Sequence, residues 1–117
     1  MSAHTFDRLV EEFATCVMAQ EAEIEKGRGG NKYARRYIAA VEKLRAHGDP
    51  GREALAVLLD HSSPQVRVMA AAFLLRYCEL RARRVLKAEA KGRGLAALGA
   101  EQTLLNWKNG TWALDPE

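Results

Sequence analysis

The chain has few of the residues that interrupt helices or cross-link chains. Its 117 residues include three prolines and two cysteines, and aromatic residues make up 7% of the total. Few prolines and few β-branched residues favour helices over strands. Both cysteines, Cys16 and Cys78, lie in helical patterns, so we expect reduced core residues and not a disulfide. The composition predicts an all-α protein.

The sequence also lacks a long apolar run and a strong excess of one charge. The polar, acidic amino-terminal stretch does not match a signal peptide, and no segment is apolar enough to span a bilayer. We therefore expect a cytoplasmic protein without membrane association. The net charge of +3 is mildly basic and falls well short of the charge typical of strong nucleic-acid binders.

Residues that carry catalysis or bind metals form no recognisable constellation. His4, His47 and His61 are scattered and form no metal-binding pair with a cysteine or carboxylate. No serine elbow, paired-cysteine motif or dinucleotide loop is present. The glycines of segment 27–30 lack the P-loop spacing, so they predict a helix end more than a phosphate site. The sequence predicts a non-enzymatic protein without cofactor or metal, and a turn role for His61.

Hydrophobic periodicity predicts about six helices in a single domain, 1–117. Segment 1–30 is predicted to be an amino-terminal helix, starting at an N-cap Thr5, followed by the glycine loop. Segment 31–110 holds the helical repeats, starting with a helix at 31–46 whose expected N-cap is Asn31. Residues 47–51 are predicted to be a loop. Segment 111–117 is a tail whose apolar anchors are Trp112 and Leu114.

The middle of the chain, residues 52–77, is predicted to form two helices joined by a very short turn. Leu55, Leu58 and Leu59 line one face of the first helix. Ser63 is suited to cap the second helix, and Pro64 follows at the first helical position, where its missing N–H costs nothing. The other helices are expected to pack against this hairpin.

The central segment resembles the repeat unit of HEAT-type helical repeats. The resemblance lies in the pattern L-L-x-H-x-x-P-x-V-R-x-x-A-A at residues 58–71. It implies that the proline starts the second helix, that the valine is buried and that the arginine lies near the turn. We also expect an ion pair between Asp60 and Arg67. The residues that carry this structural motif are Asp60, Pro64, Val66, Arg67, Ala70 and Ala71.

Residues 31–110 as a whole resemble a family of small bacterial HEAT-like domains without an assigned function. Besides the central pattern, they share a Lys-Tyr pair near the start of the second helix, the A-R-x-V-L pattern at 82–86 and a last helix ending at Gly110. The resemblance implies an α-α superhelix and no catalytic residues. Some such domains lie beside bacterial toxins, which suggests an immunity role.

Basic residues gather on two of the predicted helices and form a candidate partner-binding face. They favour a protein-interaction module with an acidic partner protein, although a solvated face without a partner explains the same pattern. The alternative function is binding of the nucleic-acid backbone. We also expect a homodimer through the first or last helix. The candidate face consists of Arg28, Lys32, Arg35, Arg36, Lys43, Arg81, Arg84 and Lys87.

Overall fold

A computed structural model of the chain describes residues 3–110, with side chains from Phe6 onward. Within this range the protein is all-helical, which confirms the predicted all-α class. The elements, in chain order, are α1 (Ala3–Glu25), α2 (Asn31–Ala46), α3 (Asp49–Ala56), a 3₁₀ turn (Val57–Asp60), α4 (Pro64–Leu74), α5 (Glu79–Ala90) and α6 (Leu95–Lys108).

The helices form two compact units, and the boundary falls between Leu58 and Leu59. Unit 1 comprises the described residues up to Leu58, with α1, α2 and α3. Unit 2 comprises the described residues from Leu59 onward, with α4, α5 and α6. The predicted superhelical arrangement of HEAT type stays a prediction.

Aromatic and aliphatic side chains hold α1 against α2 in unit 1. Phe13 and Val17 are completely buried, and the rings of Phe13 and Tyr37 meet edge to face with centroids 5.6 Å apart. Offset or edge-on ring contacts of this kind add to the stability gained by burial. The Tyr37 hydroxyl donates a hydrogen bond of 3.0 Å to Gln20 Oε1. Gln20, which interrupts the apolar stripe of α1, therefore satisfies the one polar atom of a buried ring.

A glycine sets how closely α3 approaches α2. Gly51 is buried in the first turn of α3, and a Cβ there would overlap the backbone carbonyl of Leu44 in α2. Helix α3 already begins at Asp49, so our prediction of a loop over 47–51 was wrong for its second half. Proline in the first turn of a helix loses no hydrogen bond. Pro50, the second residue of α3, is therefore compatible with a helix that begins at Asp49.

The amino-terminal end of α4 in unit 2 has the predicted cap. Ser63 adopts an extended conformation, and its Oγ accepts a hydrogen bond of 3.3 Å from the Val66 N–H. Pro64 is the first helical residue, as expected. A serine cap followed by proline satisfies one orphan N–H and removes another. These two residues therefore fix where α4 begins.

Helix α4 has almost no solvated face. Eight of its eleven residues are buried, including the consecutive alanines Ala70, Ala71 and Ala72. Small side chains allow neighbouring helices to approach closely, and in unit 2 α4 packs against both α5 and α6. Because it is so completely buried, α4 belongs to the core of the protein and offers little surface for a partner.

Helices α5 and α6 are neighbours joined by the short turn 91–94. Ala82 and Leu86 of α5 and Ala100 of α6 are completely buried. Gly94 has a φ of 90°, a conformation that side chains other than glycine rarely adopt, and it precedes the first residue of α6. The alternation of small and large buried residues lets the two helices pack over most of their length.

Two predicted helix starts need correction, and one prediction lies outside the described residues. Helix α1 already begins at Ala3, two residues before the expected cap at Thr5. Helix α2 has the predicted bounds, but Asn31 is its first residue and Gly30 is the N-cap. A Cβ at Gly30 would come within 2.5 Å of the Gln20 side chain, so glycine is required there. The tail anchors Trp112 and Leu114 lie beyond residue 110.

Candidate interaction surface

Two of the predicted basic residues in unit 1 are paired with glutamates of α1. Arg36 on α2 donates through Nε and Nη2 to both carboxylate oxygens of Glu12, at 3.1–3.2 Å. This hydrogen bonding raises the pKa of Arg36. Arg28, in the loop before α2, lies 3.5 Å from Glu23. Glu12 and Glu23 of α1 therefore neutralise part of the candidate partner-binding face.

The other cations of the candidate partner-binding face in unit 1, Lys32, Arg35 and Lys43, are exposed. Lys32 places its Nζ 4.9 Å from the centroid of the Tyr33 ring, a cation–π contact. Arg35 and Lys43 form no ion pair with another described residue. A shallow groove between α1 and α2 includes Lys43 and Arg36 in its lining, but Glu11 and Glu12 line it as well. Charges of both signs in the same groove weaken its attraction for any anionic partner.

The basic residues on α5 are exposed and lie beside apolar side chains. Arg84 and Lys87 form no ion pair with another described residue, while Arg83 pairs with Glu79 one turn away at 3.1 Å. Arg81 is also exposed. Because residues 80, 84 and 87 follow helical spacing, Leu80 shares the face of α5 that carries Arg84 and Lys87.

A groove between α5 and α6 combines cations with apolar atoms. We call it the α5–α6 groove, and its lining consists of Arg83, Lys87, Leu104, Trp107 and Lys108. Among the described residues, no carboxylate belongs to this lining. Sequence patterns singled out Lys87 alone among these residues as a site residue, because Trp107 and Lys108 looked like an ordinary helix end. The lining residues on α5 follow i, i+4 spacing, and those on α6 follow i, i+3 and i, i+4 spacing. This spacing on two consecutive helices is the sequence signal that could have revealed the groove.

Three leucines of unit 2 are unusually exposed. Their exposed fractions are 76% for Leu80, 64% for Leu98 and 50% for Leu105. Leu98 and Leu105 are two turns apart and therefore lie on the same face of α6. Single exposed apolar residues are common on proteins, but a helix with apolar residues on opposite faces normally has both faces covered. Periodicity did not reveal these residues because the leucines lie on the polar face of α6, beside Glu101 and Gln102.

The structural-motif residues lie where the resemblance implies, with one change of partner. Val66, Ala70 and Ala71 are buried. Arg67 lies beside the turn that precedes α4 and donates from Nη1 to the carbonyl oxygens of His61 and Ser62, at 2.7 and 3.2 Å.

The ion-pair partner of Arg67 is Glu89, near the end of α5, and not Asp60 as we expected. The Arg67 Nη2 lies 2.7 Å from Glu89 Oε2, and the Nε donates to the same oxygen at 2.8 Å. Asp60 is exposed, whereas both side chains of the observed pair are largely shielded from water. Burial strengthens the attraction between charges, so Glu89 is the stronger partner.

The residues considered for chemistry have structural contacts. His61 Nδ1 accepts a hydrogen bond of 2.9 Å from the Ser63 N–H, which agrees with a turn role. The backbone N–H groups of Gly27 and Arg28 donate to carbonyls of α1, at 3.0 and 2.8 Å. These two donors are therefore not directed at a phosphate. Among residues 3–110, no group of histidine, cysteine and acidic side chains could hold a metal ion.

The two cysteines are free thiols. Cys16 is buried in α1, as expected, and burial raises the pKa of its thiol, with Glu12 adding to the effect. A raised pKa keeps the thiol protonated and poorly nucleophilic at neutral pH. Cys78 is half-buried and occupies the N-cap of α5 rather than a position within a helix.

No helix in the described part of the chain is long and apolar enough to cross a membrane. The longest helix, α1 with 23 residues, carries several glutamates.

Residues 7–106 match the family model of DUF2019, a domain of unknown function. The match covers most of the chain, and the protein therefore belongs to the DUF2019 family. No curated protein and no solved structure matches the chain significantly. The family assignment extends over both units, and it assigns neither an activity nor a binding partner.

Proposed function

We propose that this protein is a non-enzymatic interaction module that binds an acidic partner protein through the α5–α6 groove and the leucines around it. The observation that carries the proposal is the composition of the groove: among the described residues its lining holds three cations and two large apolar side chains, and only Arg83 of these cations has a carboxylate partner, Glu79. A partner that offers both carboxylates and apolar side chains matches both features. Charge complementarity steers such a partner and sets its orientation.

Exposed leucines favour a protein over a nucleic acid as the partner. Covering Leu80, Leu98 or Leu105 yields about 25 cal/mol for each Å² of apolar surface removed from water. A phosphate backbone offers no apolar surface to cover them, whereas protein interfaces have apolar centres with polar rims. The cations would then supply the rim and the leucines the centre.

Pairing within unit 1 also favours unit 2 as the binding unit. An acidic partner that used the α2 stripe would have to compete with Glu12 for Arg36 and with Glu23 for Arg28. Breaking such a pair offsets much of the gain from forming a new one. Arg84 and Lys87 need no such exchange.

The finer proposal is a HEAT-like helical-repeat module that serves as a toxin-immunity protein. The Ser63 cap, the Pro64 start and the buried Val66 match the resemblance to HEAT repeats. Immunity proteins must recognise one partner tightly, and a surface with a few free cations and leucines is suited to one acidic toxin surface. Growth rescue of cells that express a toxin encoded beside this gene would test this role.

Nucleic-acid-backbone binding is the second candidate function. The observation that favours it is the position of Trp107 beside three cations, because an aromatic ring can stack on a base while lysines and arginines neutralise phosphates. The contacts predicted from the sequence are Arg35, Arg36, Arg81, Arg84 and Lys87, of which Arg36 is held by Glu12.

The experiment compares two pairs of substitutions in the full chain. Cross-linked partners are captured from lysate of the natural host with the wild type, with Arg84→Glu/Lys87→Glu and with Leu80→Ser/Leu105→Ser, and the captured protein is purified and titrated against each. We expect an acidic partner whose affinity falls at least tenfold with either pair. Lys43→Glu, an exposed charge reversal in unit 1, is the matched control and should change affinity less than threefold.

Two results would contradict the proposal. A captured partner that is basic, or that binds all variants equally, would exclude the α5–α6 groove as the binding site for an acidic partner. Duplex or single-stranded DNA that binds with a steep salt dependence, and is unaffected by the leucine substitutions, would favour the second candidate function. Light scattering of the same samples tests the homodimer, since a monomeric mass at all concentrations would exclude it.

A further inference from the structure

The α5–α6 groove contains two cations that no described carboxylate neutralises. Arg83 donates to Glu79, one turn away, at 3.1 Å, but Lys87 and Lys108 form no ion pair with another described residue. The leucine and the tryptophan of the lining are half-buried. An occupant must therefore supply carboxylates together with apolar atoms, a combination that is common at protein interfaces.

The carboxyl-terminal part of α1 carries this combination on its surface. Met18 is 39% and Ile24 is 42% exposed. Each is three residues from Glu21, so both lie beside this carboxylate on the helix surface. Glu25 follows Glu21 by one turn, and both Glu25 and Ala22 are exposed. We call these five residues the acidic α1 patch.

A cation from outside would stabilise the acidic α1 patch. Carboxylates one turn apart on a helix repel each other, and burial, with Glu25 adding to the effect, raises the pKa of Glu21. Negative charge is also unfavourable near the carboxyl-terminal end of a helix, and the last turn of α1 contains no basic residue. Arg28, in the loop after the helix, pairs with Glu23. Neither Glu21 nor Glu25 forms an ion pair with another described residue.

The acidic α1 patch and the α5–α6 groove match in charge and in spacing. Glu21 and Glu25 are about 6 Å apart along α1, and Arg83 and Lys87 have the same spacing along α5. Methionine sulfur atoms make favourable contacts with aromatic rings, and Trp107 belongs to the lining of the groove. The chain therefore presents both halves of an interface, an acidic half in unit 1 and a basic half in unit 2.

We propose that the acidic partner of the α5–α6 groove is a second copy of this chain, which docks through its acidic α1 patch. In this contact the two glutamates of the patch lie beside Lys87 and Lys108, and its methionine packs against Trp107. The proposal names the partner of the groove and therefore rests on the proposed function. Because the patch and the groove are different surfaces, each copy offers one and receives the other.

Sedimentation velocity of the full chain at low salt tests the contact with two charge reversals. Glu21→Lys/Glu25→Lys makes both surfaces basic, and Lys87→Glu/Lys108→Glu makes both acidic. We expect the mass of the wild type to rise above that of the monomer with concentration, and each variant alone to associate at least tenfold more weakly. An equimolar mixture of the two variants should associate again, because each surface of one variant then meets an oppositely charged surface of the other.

A second charge reversal on α1 provides the matched control. Asp7→Lys/Glu11→Lys adds the same positive charge at two exposed positions of this helix outside the acidic α1 patch, and it should change the association less than threefold. Recovery in the mixture also shows that both variants are folded, since two unfolded variants would not restore each other's binding. Added salt should weaken the association of the wild type, because salt screens exposed charges.

Three results would overturn the proposal. The first is a monomeric mass for the wild type at every concentration. The second is association of either variant alone that equals that of the wild type. The third is a mixture of the two variants that stays monomeric.

Failure of this proposal can be told apart from failure of the proposed function. If the wild type stays monomeric but a different acidic protein is captured, and Arg84→Glu/Lys87→Glu weakens its binding, the second-copy proposal falls and the interaction role of the groove stands. If substitutions in the groove change neither self-association nor the binding of a captured protein, both proposals fall.

Discussion

In unit 1 the arginines nearest α1 are bound to its glutamates, whereas in unit 2 Arg84 and Lys87 remain exposed beside leucines. Glu12 and Glu23 bind Arg36 and Arg28, and the polar atom of the buried Tyr37 has its own partner in Gln20. In unit 2 a largely shielded ion pair, Arg67 with Glu89, supports the core. The comparison teaches that the number of basic residues on a helix is a poor guide to a binding face until their internal partners are known.

The comparison also separates two ways of packing helices. Unit 1 relies on large side chains and on close backbone approaches at glycines, above all Gly51, where an added side chain would overlap the backbone of α2. Unit 2 relies on small residues such as Ala70, Ala71 and Ala100, which bring helices close. Substitutions should therefore damage the two units for different reasons, and the following predictions are ordered from the largest expected effect to the smallest.

Gly51→Ala should have the largest effect. The added Cβ would overlap the Leu44 carbonyl, which is backbone and cannot rotate away, so we expect a loss of about 3 kcal/mol in the free energy of unfolding. Gly29→Ala is the matched control, because a Cβ there meets nothing within 4 Å. Urea denaturation measures the loss, and hydrogen exchange shows its location. Equal loss of protection in α5 and α6 would contradict a defect that belongs to unit 1.

Arg67→Met should cost about 2 kcal/mol in unit 2. The substitution keeps the apolar stem but leaves the shielded carboxylate of Glu89 and two carbonyl oxygens without their donor. Denaturation of Arg67→Met, Glu89→Gln and the double variant measures the coupling, which should be clearly non-additive. The exposed pair of Arg83 and Glu79 is the control, and Arg83→Met should cost about 0.3 kcal/mol. Similar losses at both pairs would show that shielding does not matter here.

Alkaline pH should destabilise unit 1 through its buried phenol and thiol. Burial raises the pKa of Tyr37 above its ordinary value of 10.0 and that of Cys16 above 9.0. The stabilisation by these neutral groups is complete below the ordinary pKa values and is lost as the pH rises through the raised ones, because the unfolded chain releases its protons first.

Tyr37→Phe isolates the contribution of the phenol. At neutral pH it should cost about 1 kcal/mol through the lost bond to Gln20, but above pH 10.0 its stability should fall less steeply than that of the wild type. Denaturation midpoints between pH 7 and pH 11 provide the measurement. Parallel pH curves for the two proteins would exclude Tyr37 as the titrating group.

Glu12→Gln should have the smallest effect on stability and a visible effect on charge. The pair of Glu12 and Arg36 is exposed, and exposed ion pairs contribute little, so the denaturation midpoint should hardly move. The released Arg36 should increase retention of the protein on an anionic resin at low salt. Glu42→Gln, which removes the same charge at an exposed position of unit 1, is the control. Equal retention of both variants would show that pairing with Glu12 does not mask Arg36.

Sequence patterns predicted the parts of this structure that depend on neighbours along the chain. Ser63 and Pro64 mark the start of α4 because capping is a matter of a few consecutive residues. The bounds of α2 and the burial of Leu55, Leu58 and Leu59 followed from periodicity in the same way. Asn31 was wrongly chosen as a cap because the contact of Gly30 with Gln20 is ten residues away and leaves no local signal.

Contacts between distant residues explain what the sequence could not provide for the candidate site. Arg36 and Glu12 are 24 residues apart, and Arg67 and Glu89 are 22 apart, so their pairing depends on how helices pack. The α5–α6 groove depends on the same packing. Exposure of Leu98 and Leu105 was not predicted for another reason, since apolar residues of α6 outnumber its polar residues and are not confined to one face.

The close packing of α3 against α2 leaves a recognisable sequence pattern, a pair of glycines at positions 48 and 51. Any chain that crosses these two helices so closely must place glycine where Gly51 lies, three residues beyond the left-handed Gly48. When α1, α2 and α3 are transplanted into another protein, the three-residue spacing between Gly48 and Gly51 should be kept. A related sequence with a bulkier residue at the position of Gly51 must hold α2 and α3 farther apart. The loop between these two helices would then need to be longer.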